Sequence, residues 1–180
     1  MKLAILGYSG SGKSTLAQAL GAHYDLPVLH LDTIHFLPNW VELDKTERAI
    51  LYRQFLSEHP NNWVIDGNYK ALDLEKRLEK ADRVVLLLFP RFLCLYRCWM
   101  RYRKYRHTVR MCMAEGCQEK LDVEFIRWIL WESRTAKKCA EYRNIARQYP
   151  KKVTVIRSQK QLNRYYNTFK NGKSHAKPTV

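Results

Sequence analysis

Apolar residues fall along this 180-residue chain in five short runs, separated by longer stretches with helical spacing. Met1–Leu6, Val28–Leu31, Trp63–Ile65, Arg83–Phe89 and Lys152–Ile156 read as strands. The fourth run is apolar almost throughout, as expected for a strand covered on both faces. Helical spacing begins at Thr15 and recurs from Asp44 to about Glu58, over Leu72–Lys80 and from Arg91 to Tyr105. It returns as one long helix from about Asp122 to Gln148, with Phe125, Trp128, Ile129 and Ala136 facing the core, and in a last helix from Gln159 to Phe169. Asp44 followed by Glu47 is a capping-box-like start. In that helix Leu43, Ile50, Leu51 and Phe55 mark the apolar side. Thr33–Trp40 reads as a loop.

Strands alternating with helices predict an α/β fold: a parallel sheet with helices on both faces. Ligands of such sheets bind beyond the carboxyl ends of the strands. Gly7, Asp32, Asp66, Pro90 and Arg157 stand at those ends, so a loop and two carboxylates converge on one crevice.

The first strand runs into Gly7-Tyr8-Ser9-Gly10-Ser11-Gly12-Lys13-Ser14-Thr15, and a helix follows. This is the P-loop pattern in the strand–loop–helix setting that gives it meaning. Glycines without a β-carbon let the backbone turn several N–H groups toward one anion, and the helix adds its positive end. Lys13 can reach the β- and γ-phosphates of a nucleotide, and Ser14 can ligate Mg²⁺. The alternative, a glycine turn that binds nothing, leaves Lys-Ser-Thr without a purpose. ATP and Mg²⁺ are therefore the expected ligands, with Gly7, Gly10, Ser11, Gly12, Lys13, Ser14 and Thr15 holding the nucleotide.

Asp66 ends an apolar strand and precedes Gly67. In a P-loop protein an acid there holds the metal, directly or through water; otherwise it is a turn-initiating Asp. Asp32 could orient or deprotonate an acceptor hydroxyl, or serve as a turn acid. His35 reads as a structural loop residue.

The formal net charge of +15 adds an anionic partner to the picture: nucleotide phosphates, nucleic acid, or both. Arg97 and Arg101 share one helix face and could close over a transferring phosphoryl group. Arg103 and Arg106, interleaved with Tyr102 and Tyr105, would equally suit a nucleic-acid backbone; a solvated basic helix is the third reading. Of the five cysteines, Cys94 and Cys98 lie one helical turn apart and read as small apolar residues. His107, Cys112 and Cys117 could ligate zinc, but their spacing fits no common structural site. No apolar run approaches a membrane span, and the chain enters its first strand at once, so a cytoplasmic setting is expected. Residues 171–180 lack any apolar pattern and read as a flexible tail, leaving one domain over 1–170.

The assembled motifs resemble the P-loop kinases that include adenylate kinase and shikimate kinase. They are more similar still to the adenylate-kinase-related DNA topology modulation (FlaR-type) proteins. The resemblance rests on residues 7–15, on Leu31–Phe36 with Pro38-Asn39-Trp40, and on Trp63–Tyr69. It continues through Arg97, Arg101, Arg110, Met113–Cys117, Glu119–Asp122, Glu124-Phe125 and Trp128-Ile129. It implies a five-stranded P-loop sheet of order 2-3-1-4-5 in three α/β/α layers, with a mobile helical lid near 91–118. It also implies ATP-Mg²⁺ binding. Arg97, Arg101 and Arg110 would then close over the phosphates, and Arg157 would lie near the adenine. Adenylate kinases continue from Asp-Gly through Phe-Pro to an Arg that grips the acceptor nucleotide, where this chain has Asn68-Tyr69-Lys70. The expected activity is phosphoryl transfer to a small molecule, a nucleotide or nucleoside, with Lys13, Asp32, Asp66, Arg97 and Arg101 as its working residues. A nucleic-acid-associated ATPase is the alternative.

Overall fold

A computed structural model of the chain describes residues 1–105, 113 and 116–170. The predicted Arg110, the His107 and Cys112 of the possible zinc set, Arg106 and the tail at 171–180 lie outside the described residues.

Strand β1 (Lys2–Gly7) leads through the P-loop into α1 (Lys13–Tyr24). Next come β2 (Val28–His30), the two-residue strands β3 (Phe36–Leu37) and β4 (Val41–Glu42), and α2 (Lys45–Glu58). Then follow β5 (Trp63–Asp66), α3 (Leu74–Lys80), β6 (Arg83–Leu87) and α4 (Arg91–Tyr105). The chain closes with α5 (Val123–Leu130), α6 (Ala136–Gln148), β7 (Val153–Ile156) and α7 (Gln159–Lys170). The main sheet is parallel throughout, in the order β2-β5-β1-β6-β7, which is the predicted 2-3-1-4-5.

Alternation within the central strands makes two cores. Leu3, Ile5, Val64, Val85 and Leu87 pack toward α1, α4 and α7, where they meet Leu16, Leu20, Cys94, Cys98 and Leu162. Ala4, Leu6, Ile65, Val84 and Leu86 face the other way, toward Tyr52 of α2, Leu78 of α3 and Ile145 of α6. Three α/β/α layers follow, because β1, β5 and β6 are apolar on both sides and must be covered twice. Cys94 and Cys98 are buried apolar residues, as their spacing implied. Among the described residues no helix is long and apolar enough to cross a membrane.

Three expectations change. The long helix at 122–148 is two helices. The Ser133 hydroxyl and the Arg134 guanidinium both donate to the Ile129 carbonyl, closing α5, and Thr135 caps the N-terminus of α6. Ala136 is consequently exposed rather than in the core. Residues 33–40 are more than a loop, since Phe36-Leu37 pairs antiparallel with Val41-Glu42. On α2, Ile50 and Leu51 face outward, and the inward positions are Arg48 and Tyr52, one turn apart. The helix turns this way because Arg48 is drawn to His35, a polar contact that hydrophobic periodicity does not register.

Ile65 is fully buried in the central strand β5. Ile65→Ala should lower stability by about 2–5 kcal/mol, read as a fall in the urea midpoint at unchanged slope.

Candidate active site

The P-loop is shaped by contacts behind it. Gly10 sits so close to α4 that a β-carbon there would lie 2.4 Å from the Cys94 carbonyl oxygen and 2.7 Å from the Cys98 sulfur. Gly12 has a φ of +94° and open space where its β-carbon would be, so this side of the loop faces a cavity. The Tyr8 carbonyl accepts from the Ser11 N–H at 3.2 Å and from Lys13 Nζ at 3.1 Å, which curls the loop on itself. Arg134 stacks 3.7 Å over the Tyr8 ring and supports the loop from beneath. Burial among Cys139 and Tyr142 pushes the Tyr8 phenol up to about 12, so it stays protonated.

A cavity of about 720 Å³ lies over this loop, lined by residues 9–15, Gln18, Asp32, Arg97, Arg101, Tyr105, Gln159, Leu162 and Tyr166. The Ser11 side chain is buried at its edge, and its hydroxyl has no hydrogen-bond partner among the described residues. Arg97 donates to the Ser11 carbonyl at 3.0 Å and to Gln159 Oε1, with its guanidinium 4.3 Å over the Phe89 ring. Arg101 is held by Glu119 at 2.8 Å. Both predicted arginines therefore turn inward, onto the cavity.

At the floor, Asp66 is buried between two partners. The Ser14 hydroxyl donates to Oδ2 at 2.8 Å, and His30 Nδ1 lies 2.6 Å from Oδ1. His30 and Asp66 are register partners on adjacent strands, so the sheet itself sets this pair. The Asn68 amide makes two bonds to Gly7, accepting from its N–H at 3.0 Å and donating to its carbonyl at 2.7 Å. Arg77 is buried and donates to the Gly67 carbonyl at 3.0 Å, fixing the turn after Asp66 from below. A hydroxyl beside a buried carboxylate, under a cradle for phosphates, is a donor set that fits Mg²⁺, which binds through few protein oxygens and completes its shell with phosphate and water.

A second cavity, of about 400 Å³, adjoins the first and shares Ser9, Asp32 and Arg101 with it. Phe36, Trp40, Tyr69, Phe125 and Trp128 form much of its wall. The Tyr69 hydroxyl donates to Asp32 Oδ1 at 2.6 Å, and burial beside that carboxylate pushes the phenol well above its ordinary range. Tyr69 lies against His35, ring centroids 4.1 Å apart, and His35 accepts from Arg48. The hairpin is tied down at its turn, where the Trp40 indole donates to the Gln118 carbonyl.

Of the predicted site residues, Gly10 to Thr15, Asp32, Arg97 and Arg101 line the first cavity. Gly7 and Asp66 are not among its lining residues, but Asp66 is bonded to Ser14, which is. Arg157 is exposed at the end of β7 and is not among the lining residues. Cys117 is buried, its thiol directed to the Leu37 carbonyl. Among the described residues no cluster of three or more His, Cys, Asp and Glu could hold a metal.

The whole arrangement is similar to known enzymes in fold. Its parallel five-stranded α/β fold is similar to that of shikimate kinase. Shikimate kinase from Acinetobacter baumannii, solved in complex with shikimate, aligns at a TM-score of 0.57 over 97% of this chain and 95% of its own, with 16% identity. Shikimate kinase from Bacteroides thetaiotaomicron aligns at 0.55 over 96% and 98%, with 15% identity. No family model matches the chain, and no curated protein matches it in sequence.

Burial and the Arg48 guanidinium hold His35 below its ordinary pKa, against the opposing pull of Glu42 and Asp32. A depressed histidine binds its proton more weakly in the folded state. Its contribution to stability is complete above about pH 6.5 and is lost as pH falls toward the folded-state value. Urea midpoints at pH 7.5 and 5.5 should therefore fall more for the wild type than for His35→Gln; parallel falls would contradict this origin.

Proposed function

We propose that this protein is an ATP-dependent phosphotransferase of the nucleotide or nucleoside kinase type. The observation that carries the reading is the meeting of two cavities at Ser9, Asp32 and Arg101, one on the P-loop and one lined by aromatic rings. A donor and an acceptor seated in them would have their reacting groups side by side, which is most of what phosphoryl transfer requires.

The P-loop N–H groups, Lys13 and the Ser11 hydroxyl bind the phosphates of ATP. Ser14 and Asp66 would hold a magnesium ion, which would neutralise charge on the phosphate oxygens. His30 fixes the Asp66 carboxylate from behind. Tyr69 occupies one oxygen of Asp32 and leaves the other for the acceptor hydroxyl. The acceptor oxygen forms a bond to the γ-phosphorus as the bond from that phosphorus to the bridging oxygen breaks. Asp32 takes the hydroxyl proton, and ADP leaves with the bonding pair. Lys13, Arg97 and Arg101 balance the charge spread over the moving phosphoryl oxygens. The segment near 91–118 is read as the lid, anchored to the core through Cys94 and Cys98 of α4, the helix that carries Arg97 and Arg101. Arg110 would add a further cation, and Arg157 a contact beyond β7. The motifs at 7–15, 31–40 and 63–69 support kinship with the DNA topology modulation type, and a cytoplasmic setting is part of the same reading. The inward direction of Arg97 and Arg101 supports a role for these two in small-molecule phosphoryl transfer.

ADP release from Mg-ATP, measured against nucleosides, nucleoside monophosphates and small alcohols, should rise with one acceptor class. Lys13→Ala and Asp32→Asn should each cut that turnover by roughly 100-fold or more, the second with ATP binding retained. ADP release that responds only to DNA or RNA would overturn the reading.

A further inference from the structure

The second cavity says more about the acceptor than its position does. Its described wall is aromatic on separate elements. Phe36 and Trp40 come from the hairpin, with ring centroids 5.3 Å apart. Phe125 and Trp128 come from α5, stacked with their rings within 13° of parallel. Tyr69 completes the set beside Asp32. Flat π surfaces converging on a space of about 400 Å³ are suited to a flat ring, and the volume lies in the range of small-molecule sites.

The charges argue for a neutral ligand. Among the described lining residues, Asp32, Glu119 and Asp122 are acidic, while Arg101 and Lys120 are basic. Arg101 is bound to the buried Glu119 carboxylate at 2.8 Å. The Lys120 ammonium stands about 6.0 Å over the Trp40 ring. An acceptor that brought its own phosphate or carboxylate would meet the Asp32 and Asp122 carboxylates and compete with Glu119 for Arg101. The turn after Asp66 offers Asn68, which is engaged with Gly7, and Tyr69, which is engaged with Asp32.

We propose that the second cavity binds an uncharged planar heteroaromatic alcohol, its ring among Phe36, Trp40, Phe125 and Trp128 and its hydroxyl at Asp32. This rests on the phosphotransferase reading for the role of the hydroxyl, but the ring recognition stands on the cavity alone. Nucleosides and smaller pyridine or pyrimidine alcohols share this chemistry.

Calorimetric titration of the full chain separates the possibilities without relying on turnover. The probes are adenosine, guanosine, cytidine, uridine and thymidine in one arm, and pyridoxine and a hydroxymethylpyrimidine in a second. Adenosine 5′-monophosphate, shikimate and ribose form the third. All titrations are run with the P-loop cavity saturated by a non-hydrolysable ATP analogue, so that nucleosides report on the second cavity. At least one ligand of the first two arms should bind, and its arm names the source. The monophosphate, the carboxylate and the sugar without an aromatic ring should each bind about tenfold or more weakly than that ligand. Trp128→Ala and Trp40→Ala should weaken binding roughly 5- to 150-fold, and Trp131→Ala, which alters an exposed indole outside the cavity, should not. Binding of the monophosphate or shikimate as tight as that of any uncharged ligand would overturn the proposal. So would binding that survives both tryptophan changes, or no binding in the first two arms. Failure of the kinase reading would appear separately, as ring binding without ADP release.

Discussion

The two hydrogen bonds between the Asn68 amide and the backbone of Gly7 hold the site in one piece. In the parallel pairing of β1 with β5, Ile5 stands opposite Asp66, an offset that puts Gly7 opposite Asn68. The backbone ladder has ended there, because the chain must turn away at Gly67. The side-chain amide, using one N–H and its carbonyl oxygen, replaces the missing peptide group and extends the pairing by a step. The start of the P-loop and the turn carrying Asp66 are thereby fixed to each other. Everything that needs Ser14 beside Asp66 depends on that fixation.

Around this join the molecule uses buried polar groups where a core would normally be apolar. His30 and Arg77 approach Asp66 and Gly67 from the sheet and from α3, and Arg48 reaches His35 from α2. Burying such groups is costly unless each finds a partner. The cost is concentrated at the carboxyl ends of β2 and β5. Away from there the buried residues of the sheet are apolar, and they form the two cores.

Much of this was legible in the sequence. The five strands declared themselves through short apolar runs, and the P-loop through glycines and Lys-Ser-Thr at a strand end. Asp32 and Asp66 followed from being the last polar residues of those runs. What stayed hidden was made by contacts between distant segments. His30 could have been found, since it ends one strand as Asp66 ends its neighbour. Asn68 could not, because a side chain that mimics backbone has no periodic signature. The aromatic cavity was dispersed over residues 36–40, 69 and 125–128, where each ring read as ordinary core or loop. The outward turn of Ile50 and Leu51 escaped because Arg48, a polar residue, decides which face of α2 looks inward.

The shared wall has a consequence for how this chain can change over time. Ser9, Asp32 and Arg101 belong to both cavities, so a substitution there changes the shape and charge of both at once, and on the proposed function would alter phosphate handling along with acceptor choice. The hairpin at 36–42 and helix α5 touch only the second cavity. If the proposed function holds, a lineage built on this plan can drift in acceptor preference through those two elements while its phosphate chemistry stays fixed. New specificities should arise by exchanging rings at the rim, with the centre inherited unaltered.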